Sequence, residues 1–498
     1  MKSRLLHIII MTTVTVLLAA CGSSDIQIAQ QTDAEAPIYP DYRDVTIPCN
    51  IAPMNFNVNA DNDARVIVRG DDGTTFQLDV EGDDGEVDIP MNRWKQLLAN
   101  NKGGKIEFTV AELKDGQWTG YKPFSMYVAD DSIDPYVAYR LLPPYEQWLV
   151  MGIYQRNLET FDETAIYENR LTDYNCVNCH SFPAQNPDKM LFHMRAKDAY
   201  GTVLVRNGQV EKVNTKTGDM IANLVYPSWS SDGKYVAAST NIFYQSYFYN
   251  NSNQHVEVYD VDSDVYVYDT DKDELLTCDA LCSKTAFETF PSFSPDGKTL
   301  YFCTTQAVDS VAEDIDKIRY SLCSIDFNPA TRTFGTQVDT LFNADKDGRS
   351  ISFPRLSPDG RQMVVTLMDF GNFSINKKEA DLYRLDLTTD SISPIDAINS
   401  PETESYHSWS SNSRWMVFSS RRQDGLYTRP YFTYVGEDGT FHKPFLMPQK
   451  NPAKYYREQI NAYNIPEMIR GKVNVNEHDI ATTLRNSAGT NLTINKQQ

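Results

Sequence analysis

The 498-residue chain is long enough for two or three domains, and its 41% of hydrophobic residues can fill large cores. Acidic residues outnumber basic ones by 67 to 46, and the resulting net charge of −21 at pH 7 argues against a nucleic-acid partner, because both molecules would be negative. The 29 tyrosines, 24 glycines and 24 prolines favour strands and turns, so we expect a mainly β fold.

The first 20 residues have the organisation of an export signal. Lys2 and Arg4 precede an apolar run over residues 5–18, which Ala19-Ala20-Cys21 follows. The run is shorter than the about 20 apolar residues that span a membrane. It resembles a bacterial lipoprotein signal, and a transmembrane helix is the alternative.

The resemblance implies that residues 1–20 are removed and that Cys21 is lipidated, so the protein would be anchored to a membrane by its lipid. Residues 21–41 are small and polar, which predicts a flexible tether. Gly22 stands where an Asp would retain a lipoprotein in the inner membrane, so we expect a cell-envelope lipoprotein of the outer membrane.

Residues 42–130 alternate between apolar and polar side chains, for example over residues 65–69, 75–80 and 105–110. An alternation of period two indicates strands with one buried face, and Asp-Gly turn signals separate these segments. We therefore expect an immunoglobulin-like β-sandwich. Its single cysteine, Cys49, is interpreted as a buried thiol.

Residues 131–195 change period. Trp148, Met151, Tyr154, Leu158 and Phe161 recur at steps of three and four residues, which predicts one face of a helix. The segment is thus expected to be a helical connector. The aromatic stripe would pack against a neighbouring domain or line a cofactor pocket.

The connector ends in a C-x-x-C-H motif, formed by Cys176, Cys179 and His180. A redox dithiol would need a βαβ setting that the flanks do not offer, and a zinc site would need a fourth ligand. A c-type haem needs two thiols one helical turn apart and an adjacent imidazole, all of which are present. Haem attachment is therefore the favoured interpretation; a structural disulfide, a free thiol pair, zinc and a redox dithiol are the alternatives.

The other axial ligand of the haem iron would come from the segment that follows. Met190 is the first candidate, with His193 and Met194 as alternatives. In a helix, Met190 and Met194 would share a face that His193 adjoins. These residues could equally dock the connector onto the next domain. Ser181 to Arg195 resembles the haem-motif segment of exported propeller proteins described as cytochrome c-related.

Four segments further along repeat one pattern: an aromatic residue opens a strand, a tight Ser-x-Asp-Gly turn reverses it, and an apolar strand returns. The segments are YPSWSSDGKYVAAST from Tyr226, FPSFSPDGKTLYFCT from Phe290, FPRLSPDGRQMVVTL from Phe353 and YHSWSSNSRWMVFSS from Tyr406. The fourth carries Asn412-Ser413 in place of Asp-Gly, and Asn412 can tolerate a left-handed backbone. Each hairpin exposes an apolar face that a neighbouring repeat must cover.

This repeat resembles that of TolB-type (WD40-like) β-propellers over residues 196–447. Five blades can be counted, and the resemblance implies six, with the sixth either in the long inserts or completed from the tail, residues 448–498. That tail has no repeat and is otherwise expected to pack on the outside. Family neighbours that hydrolyse peptides carry a Gly-x-Ser-x-Gly motif, which is absent here, so no catalytic residue is predicted.

Asp269 to Glu274 forms an acidic run whose spacing opens like a calcium-binding loop, but the required glycine and closing glutamate are missing. We interpret the run as a strand-to-strand turn, with calcium as the alternative. Cys278, Cys282, Cys303 and Cys323 lie in the same region. Export permits disulfides among them, and buried thiols are equally compatible with the sequence.

Two functions follow from these patterns. In the first, a membrane-anchored exported propeller carries a covalent haem c and transfers electrons or senses a redox state. In the second, the protein is a non-catalytic TolB-like scaffold that binds a protein or glycan partner on its propeller face, and the cysteine pair is structural.

Overall fold

The computed structural model describes residues 25–144, 149–195, 199–248 and 256–497. The predicted signal peptide and the predicted lipid attachment site, Cys21, lie outside these residues. Strands dominate the described chain, as the composition predicts. Within the described ranges, none of the helices has the length and apolar character needed to cross a membrane.

The N-terminal unit consists of two sheets and one helix. Its elements are β1 (Ile28–Glu35), β2 (Ile38–Tyr39), β3 (Val45–Ile47), β4 (Phe56–Val58), β5 (Ala64–Gly70), β6 (Thr75–Asp79), β7 (Glu86–Val87), α1 (Met91–Asn100), β8 (Lys105–Lys114), β9 (Gln117–Lys122) and β10 (Phe124–Val128). A seven-stranded sheet has the order β1-β9-β8-β10-β3, in which β5 also pairs with β8 and β6 pairs with β5. A three-stranded sheet has the order β2-β4-β7. Phe56, Phe108 and Trp94 are fully buried between these elements.

Two expectations for this unit need correction. The predicted tether, residues 21–41, contains β1, which pairs in parallel with β9. This pairing provides hydrogen-bond partners for the backbone of β1. Lys122 also forms an ion pair with Glu35, with 2.7 Å between Nζ and Oε1. Helix α1 was not predicted either; it buries Trp94, Leu97 and Leu98 on one face.

Six further sheets follow, which we number 1 to 6. Sheet 1 begins with β11 (Tyr136–Leu142), β12 (Gly152–Asn157) and β13 (Glu163–Glu168). Sheet 2 contains β14 (Cys176–Ser181), β15 (Lys189–Arg195), β16 (Gly201–Arg206) and β17 (Gln209–Asn214). Sheet 3 contains β18 (Leu224–Trp229), β19 (Tyr235–Tyr247), β20 (Val256–Asp269) and β21 (Glu274–Cys278).

Sheet 4 contains β22 (Ala286–Phe293), β23 (Thr299–Gln306), β24 (Ser321–Asn328) and β25 (Thr333–Phe342), with α2 (Val311–Asp314) inserted. After α3 (Ala344–Asp347), sheet 5 contains β26 (Ser350–Leu356), β27 (Met363–Met368), β28 (Asp381–Asp386) and β29 (Ser391–Pro394). Sheet 6 contains β30 (Glu404–Trp409), β31 (Trp415–Ser420), β32 (Arg429–Tyr434) and β33 (Phe445–Leu446).

The C-terminal segment returns to the start of this series. After α4 (Pro452–Glu458), strand β34 (Ala462–Ile469) pairs with β11 and becomes the first strand of sheet 1. After α5 (Glu477–Asn486), β35 (Thr490–Asn491) and β36 (Thr493–Gln497) extend the outer edges of sheets 2 and 3. The first strands of successive sheets, β14, β18, β22, β26, β30 and β34, contact one another, and β34 also contacts β14.

The predicted helical connector over residues 131–195 is wrong. The segment forms β11 to β15, and the supposed helical stripe runs through β12 and the turn after it. Trp148 lies outside the described residues. The three- and four-residue spacing of the apolar side chains predicted a helix incorrectly. Strand β12 pairs with β11 on one side and β13 on the other, and this hydrogen bonding determines its conformation.

The predicted hairpin turns are confirmed at their glycines, since Gly233, Gly297 and Gly360 have φ of 71°, 68° and 74°. In the fourth repeat the left-handed residue is Ser413, at φ 62°, and not Asn412. Asn412 instead takes the role of the aspartate, because its Oδ1 accepts hydrogen bonds from the Ser410 hydroxyl and from the Arg414 N–H.

The acidic run Asp269 to Glu274 is a turn between β20 and β21, as expected, and Arg332 forms ion pairs with both of these residues. Cys278, Cys282, Cys303 and Cys323 carry free thiols. Cys303 and Cys323 lie on neighbouring strands but belong to different hydrophobic clusters. Cys49 is a half-buried free thiol, less enclosed than predicted.

Candidate binding funnel on the central axis

Each of the six first strands contains a β-bulge at the same position, where its pairing with the second strand is interrupted. One residue of each bulge has a left-handed backbone: Cys179 at φ 54°, Tyr226 at 52°, Phe290 at 47°, Phe353 at 50°, Tyr406 at 50° and Ile465 at 51°. Such a conformation costs of order 1–3 kcal/mol for a bulky residue. A β-bulge changes the direction in which the side chains of a strand point. The strained backbone of the bulge residue therefore goes together with a changed side-chain direction in each first strand.

Four of the six bulge residues are aromatic, and their rings pack together in tilted and edge-to-face contacts, which we call the plug. Ring centroids are 4.8 Å apart for Tyr226 and Phe290, 4.2 Å for Phe290 and Phe353, and 5.1 Å for Phe353 and Tyr406. Tyr226, Tyr406 and Ile465 border a cavity on each side. The plug therefore separates two cavities along the axis.

The larger cavity, which we call the funnel, has a volume of about 230 Å³ and is lined by residues from all six first strands. The residues two positions after each bulge residue form a polar ring: Ser181, Ser228, Ser292, Arg355, Ser408 and Glu467. Trp229 and Trp409 add indole walls. The funnel thus combines hydroxyl groups and aromatic surface with one basic and one acidic side chain.

The two ionisable side chains of the funnel, Arg355 and Glu467, are not paired with each other. Glu467 Oε1 accepts a hydrogen bond from the Phe182 N–H at 3.0 Å, and Arg355 Nη1 donates to the Pro354 carbonyl at 3.1 Å. Among the described residues, no ion pair within 4.0 Å involves Arg355 or Glu467. Burial raises the pKa of Glu467 to about 8, an effect that Arg355 partly opposes. Burial also lowers the pKa of Arg355.

Both indole walls are fixed by bonds between neighbouring sheets. Trp229 Nε1 donates to the Ser181 carbonyl and Trp409 Nε1 donates to the Arg355 carbonyl, each at 3.2 Å. These two hydrogen bonds occupy equivalent positions in the repeat, because each joins the first strand of one sheet to the first strand of the preceding sheet. They hold the indole rings in place against the funnel, a form of preorganisation that lowers the entropic cost of binding.

The smaller cavity, of about 40 Å³, lies on the other side of the plug. Arg140, Cys176, Asn178 and Arg195 border it. Arg140 Nη1 donates to Asn178 Oδ1 and to the Val177 carbonyl. The guanidinium of Arg195 stacks on the ring of Phe243, with 4.9 Å from Cζ to the ring centroid.

The predicted haem motif lies in β14, an extended strand. Cys176 and Cys179 are 5% and 1% exposed. Cys176 borders the smaller cavity, whereas Cys179 and His180 border the funnel on the other side of the plug. The two thiols therefore do not lie on one helical turn facing a common space, and these residues do not fit a haem in this conformation.

The candidates for the second axial ligand are engaged elsewhere. Met190 and Met194 lie on one face of β15 and pack with Phe192 in the hydrophobic core of sheets 1 and 2. His193 faces the other way, and its Nδ1 lies 3.1 Å from the Thr202 hydroxyl. Their expected shared helical face is thus replaced by the alternation of a strand. Among the described residues, no cluster of three or more His, Cys, Asp or Glu could hold a metal ion.

His180 instead has an equivalent in the propeller-like repeat. The segment N-C-H-S-F (178–182) occupies the same strand position as S-Y-H-S-W (405–409), and both histidines follow a bulge residue. His407 Nε2 bonds to the Val364 carbonyl of sheet 5 at 2.8 Å. Burial lowers the pKa of both histidines to about 3, and for His180 the nearby Arg140 adds to this effect.

The functional residues that the sequence analysis missed are Arg355 and Glu467. Both stand one step after a proline, Pro354 and Pro466, at the position that is serine in the other four strands. Aligning these short strand segments, including NIPEM (464–468) and NCHSF, would have revealed six repeats with two charged exceptions. The similarity of the six segments is difficult to recognise in the sequence, because the bulge interrupts the regular alternation of each strand.

No protein-family model matches the sequence, and a search of curated proteins found no match. Among solved structures, the chain is similar to a prolyl endopeptidase (12% identity, TM-score 0.32) over 62% of this chain and 49% of that one. It is also similar to prolyl oligopeptidase B from Galerina marginata (9%, 0.34), with 62% and 44% covered. A third similarity is to a dihydro-haem d1 dehydrogenase (12%, 0.30), with 79% and 75% covered.

The chain spans less than half the length of the two peptidases. All three TM-scores are low, so these similarities carry no argument about activity or ligands.

Proposed function

We propose that the protein is a six-bladed β-propeller that acts as a binding scaffold, with the axial funnel as its ligand site. Six sheets follow one another with the same strand order, and their first strands contact each other in sequence. Strand β34 supplies the first strand of sheet 1 from the C-terminal segment, a closure that holds the two ends of the series together. The other three strands of sheet 1 lie between Tyr136 and Glu168, so the proposed propeller begins before residue 196, where the sequence analysis starts it.

One observation carries the binding role: the aromatic plug closes the inner end of the funnel, which holds two ionisable side chains, Arg355 and Glu467, that form no ion pair within 4.0 Å in the described part of the chain. Buried charges are ordinarily paired. A cavity that keeps them exposed to its interior is suited to a ligand that supplies the missing partners. A concave, largely apolar site with a few converging polar groups is also the usual form of a ligand pocket.

We further propose that the N-terminal unit is an immunoglobulin-like sandwich with one added helix and that Cys21 anchors the protein to the outer membrane. The unit would then hold the propeller away from the membrane. Electron transfer and redox sensing by a haem stay predictions of the sequence alone, because the position of the cysteine motif does not favour them.

Site-specific photo-crosslinking in cells tests the scaffold role. A photoreactive amino acid would replace Ser292 in the funnel, and a matched variant would carry it at Lys298, an exposed position of the following turn. We expect a discrete crosslinked species from position 292 and none from position 298. Equal crosslinking from both positions, or no crosslinking from position 292, would contradict ligand binding in the funnel.

A further inference from the structure

We propose that the funnel binds a ligand that ends in a carboxylate and that Arg355 receives this carboxylate. The inference rests on the proposed function and specifies the chemistry of the same site. The carboxylate could belong to a small organic acid or to the C-terminus of a polypeptide. The experiment below separates these two sources.

The unused donors of Arg355 are the first argument. A guanidinium has five N–H donors, and in the described part of the chain one hydrogen bond uses them, from Nη1 to the carbonyl of the preceding residue, Pro354. The side chain remains partly accessible from the funnel. Arg binds carboxylates with two parallel hydrogen bonds, and such charge-assisted bonds are stronger than neutral ones.

The second argument concerns Glu467, the other charged side chain of the ring. A negatively charged Glu467 would repel a carboxylate ligand. Its burial favours the protonated form at neutral pH, because the pKa of its carboxyl group is raised to about 8. In this form Glu467 can donate a hydrogen bond to the ligand, so the funnel as a whole is positive.

The shape of the funnel is the third argument. The aromatic plug closes its inner end, so a chain cannot thread through and must enter end first. The volume of about 230 Å³ is below the roughly 300–1,000 Å³ of pockets that enclose drug-sized ligands. It suits one terminal residue or one small acid. Trp229, Trp409 and Phe293 offer apolar surface to the group next to the carboxylate.

A hexapeptide library of random sequence, synthesised once with free and once with amidated C-termini, tests the proposal. The immobilised full-length protein would capture peptides from each library, and mass spectrometry would quantify them. N-acetylated amino acids and their amides form a second pair of probes. We expect at least tenfold more capture of free acids than of amides in one or both pairs, and the pair that responds identifies the source.

Matched variants locate the interaction. Arg355→Gln should abolish the preference for free acids, Arg355→Lys should retain part of it, and Arg361→Gln, an exposed arginine of the following turn, should leave it unchanged. Melting temperatures of all variants establish that they are folded. Equal capture of acids and amides, or an unchanged preference in a folded Arg355→Gln protein, would overturn the proposal.

A pH series adds an independent readout. Capture of free acids should weaken as the pH rises through about 8 and Glu467 ionises, and Glu467→Gln should remove this decline. The other charged or titratable groups that line the funnel are Arg355, His180, His407, Cys179, Tyr226 and Tyr406. Burial lowers the pKa of both histidines to about 3 and raises the pKa of Cys179 and of Tyr226, so these four groups move away from this range. A decline that persists in Glu467→Gln would overturn the role of Glu467. If crosslinking from the funnel succeeds while acids and amides bind equally, the scaffold role stands and the carboxylate proposal fails.

Discussion

Buried ionisable side chains set opposing demands on the pH at which the protein is stable. Burial lowers the pKa of His180, His193 and His407 to about 3, so the folded state binds fewer protons than the unfolded state below pH 6.5. Burial raises the pKa of Glu288 and Glu467 to about 8, so the folded state keeps protons that the unfolded state releases above about pH 4.5. Stability should therefore fall towards both sides of a weakly acidic optimum.

The acid side of this profile can be tested at His407. A folded-state pKa below the unfolded value contributes stability that is present above pH 6.5 and is lost as the pH falls towards 3. Glutamine can keep the hydrogen bond to the Val364 carbonyl without titrating, so His407→Gln should raise the free energy of unfolding at pH 4.5 by about 1–3 kcal/mol relative to the parent. Urea denaturation at pH 4.5 and 7.5 measures this.

The control for this experiment is His478→Gln, because His478 is exposed on α5. This substitution should change the free energy of unfolding neither at pH 4.5 nor at pH 7.5. A His407→Gln protein with the same loss of stability between pH 7.5 and pH 4.5 as the parent would contradict the assignment of His407 as a buried neutral imidazole.

The turn of the second repeat offers a test of backbone conformation. Gly297 has φ 68°, and a Cβ atom added there would make only an ordinary contact, 3.9 Å from Ser230 Cβ. Gly297→Val should therefore cost about 1–3 kcal/mol through backbone strain alone. Lys298→Ala, at the exposed next residue, should cost little. Equal unfolding midpoints for the two variants would argue against this turn.

The cysteine motif makes a separate prediction. Cys176 and Cys179 are buried in a strand, so both should react with a thiol reagent only after denaturation. Protein matured in a host with a working c-type haem assembly system should lack the added mass of a haem and show no Soret band. A thioether-linked haem on either cysteine would mean that β14 adopts another arrangement during maturation, and it would restore the redox function as the leading hypothesis.

At the scale of secondary-structure elements, the sequence predicted the hairpins correctly where the repeat included a recognisable turn. The four Asp-Gly or Asn-Ser hairpins were found because turn residues and alternating strands agree locally. Strands β11 to β15 were missed because they lack such a turn and because the spacing from Met151 to Phe161 imitates a helix. Strand β34 was missed as a first strand because its partner, β11, lies more than 300 residues earlier in the chain.

The funnel could be predicted only in part, for the same reason. Ser228, Ser292, Arg355 and Ser408 are within the recognised repeats, and their alignment identifies one charged exception. Glu467 lies in a segment without a recognisable repeat, so its approach to Arg355 depends on the long-range pairing of β34. Cys179 and His180 of the cysteine motif coincide with a bulge residue and the residue after it, which the sequence alone does not reveal.

The closing strand gives a direct prediction at this scale. A chain that ends at Asn461 lacks β34, which leaves β11 unpaired at the inner edge of sheet 1 and removes the contact between sheets 6 and 1. We expect this chain to be protease-sensitive and without a cooperative thermal transition. A chain that ends at Ser487 loses only β35 and β36, which pair at outer edges, and should remain folded.

A cooperative transition in the chain that ends at Asn461, at the temperature of the full chain, would contradict the role of β34 in joining sheets 6 and 1. Limited proteolysis of both truncated chains, followed by mass spectrometry, would show where the first cleavages fall. In the shorter chain they should fall in sheets 1 and 6, the two sheets that β34 joins.

For the whole molecule, the important fact is that one hydrophobic core spans two regions. Residues of the N-terminal unit, such as Trp94 and Phe108, belong to the same buried cluster as Trp415 and Phe445 of sheet 6. Polar contacts reinforce this junction, because the Tyr42 hydroxyl donates to the Leu446 carbonyl and Asn55 Nδ2 donates to the Lys450 carbonyl. The N-terminal unit is therefore packed onto sheet 6 through a shared hydrophobic core.

This shared core predicts that the N-terminal unit and the sheets unfold together. Tyr42 is fully buried at the junction, so Tyr42→Ala should remove its hydrogen bond and leave a cavity, at a cost of about 3–5 kcal/mol. Calorimetry should show one thermal unfolding transition in the parent. The variant should show either one transition at a lower temperature or two transitions, one for each region. Tyr127→Ala, at an exposed tyrosine of the same unit, is the control and should leave the profile unchanged. Two transitions in the parent, with the higher one unaffected by Tyr42→Ala, would mean that the junction does not couple the two regions.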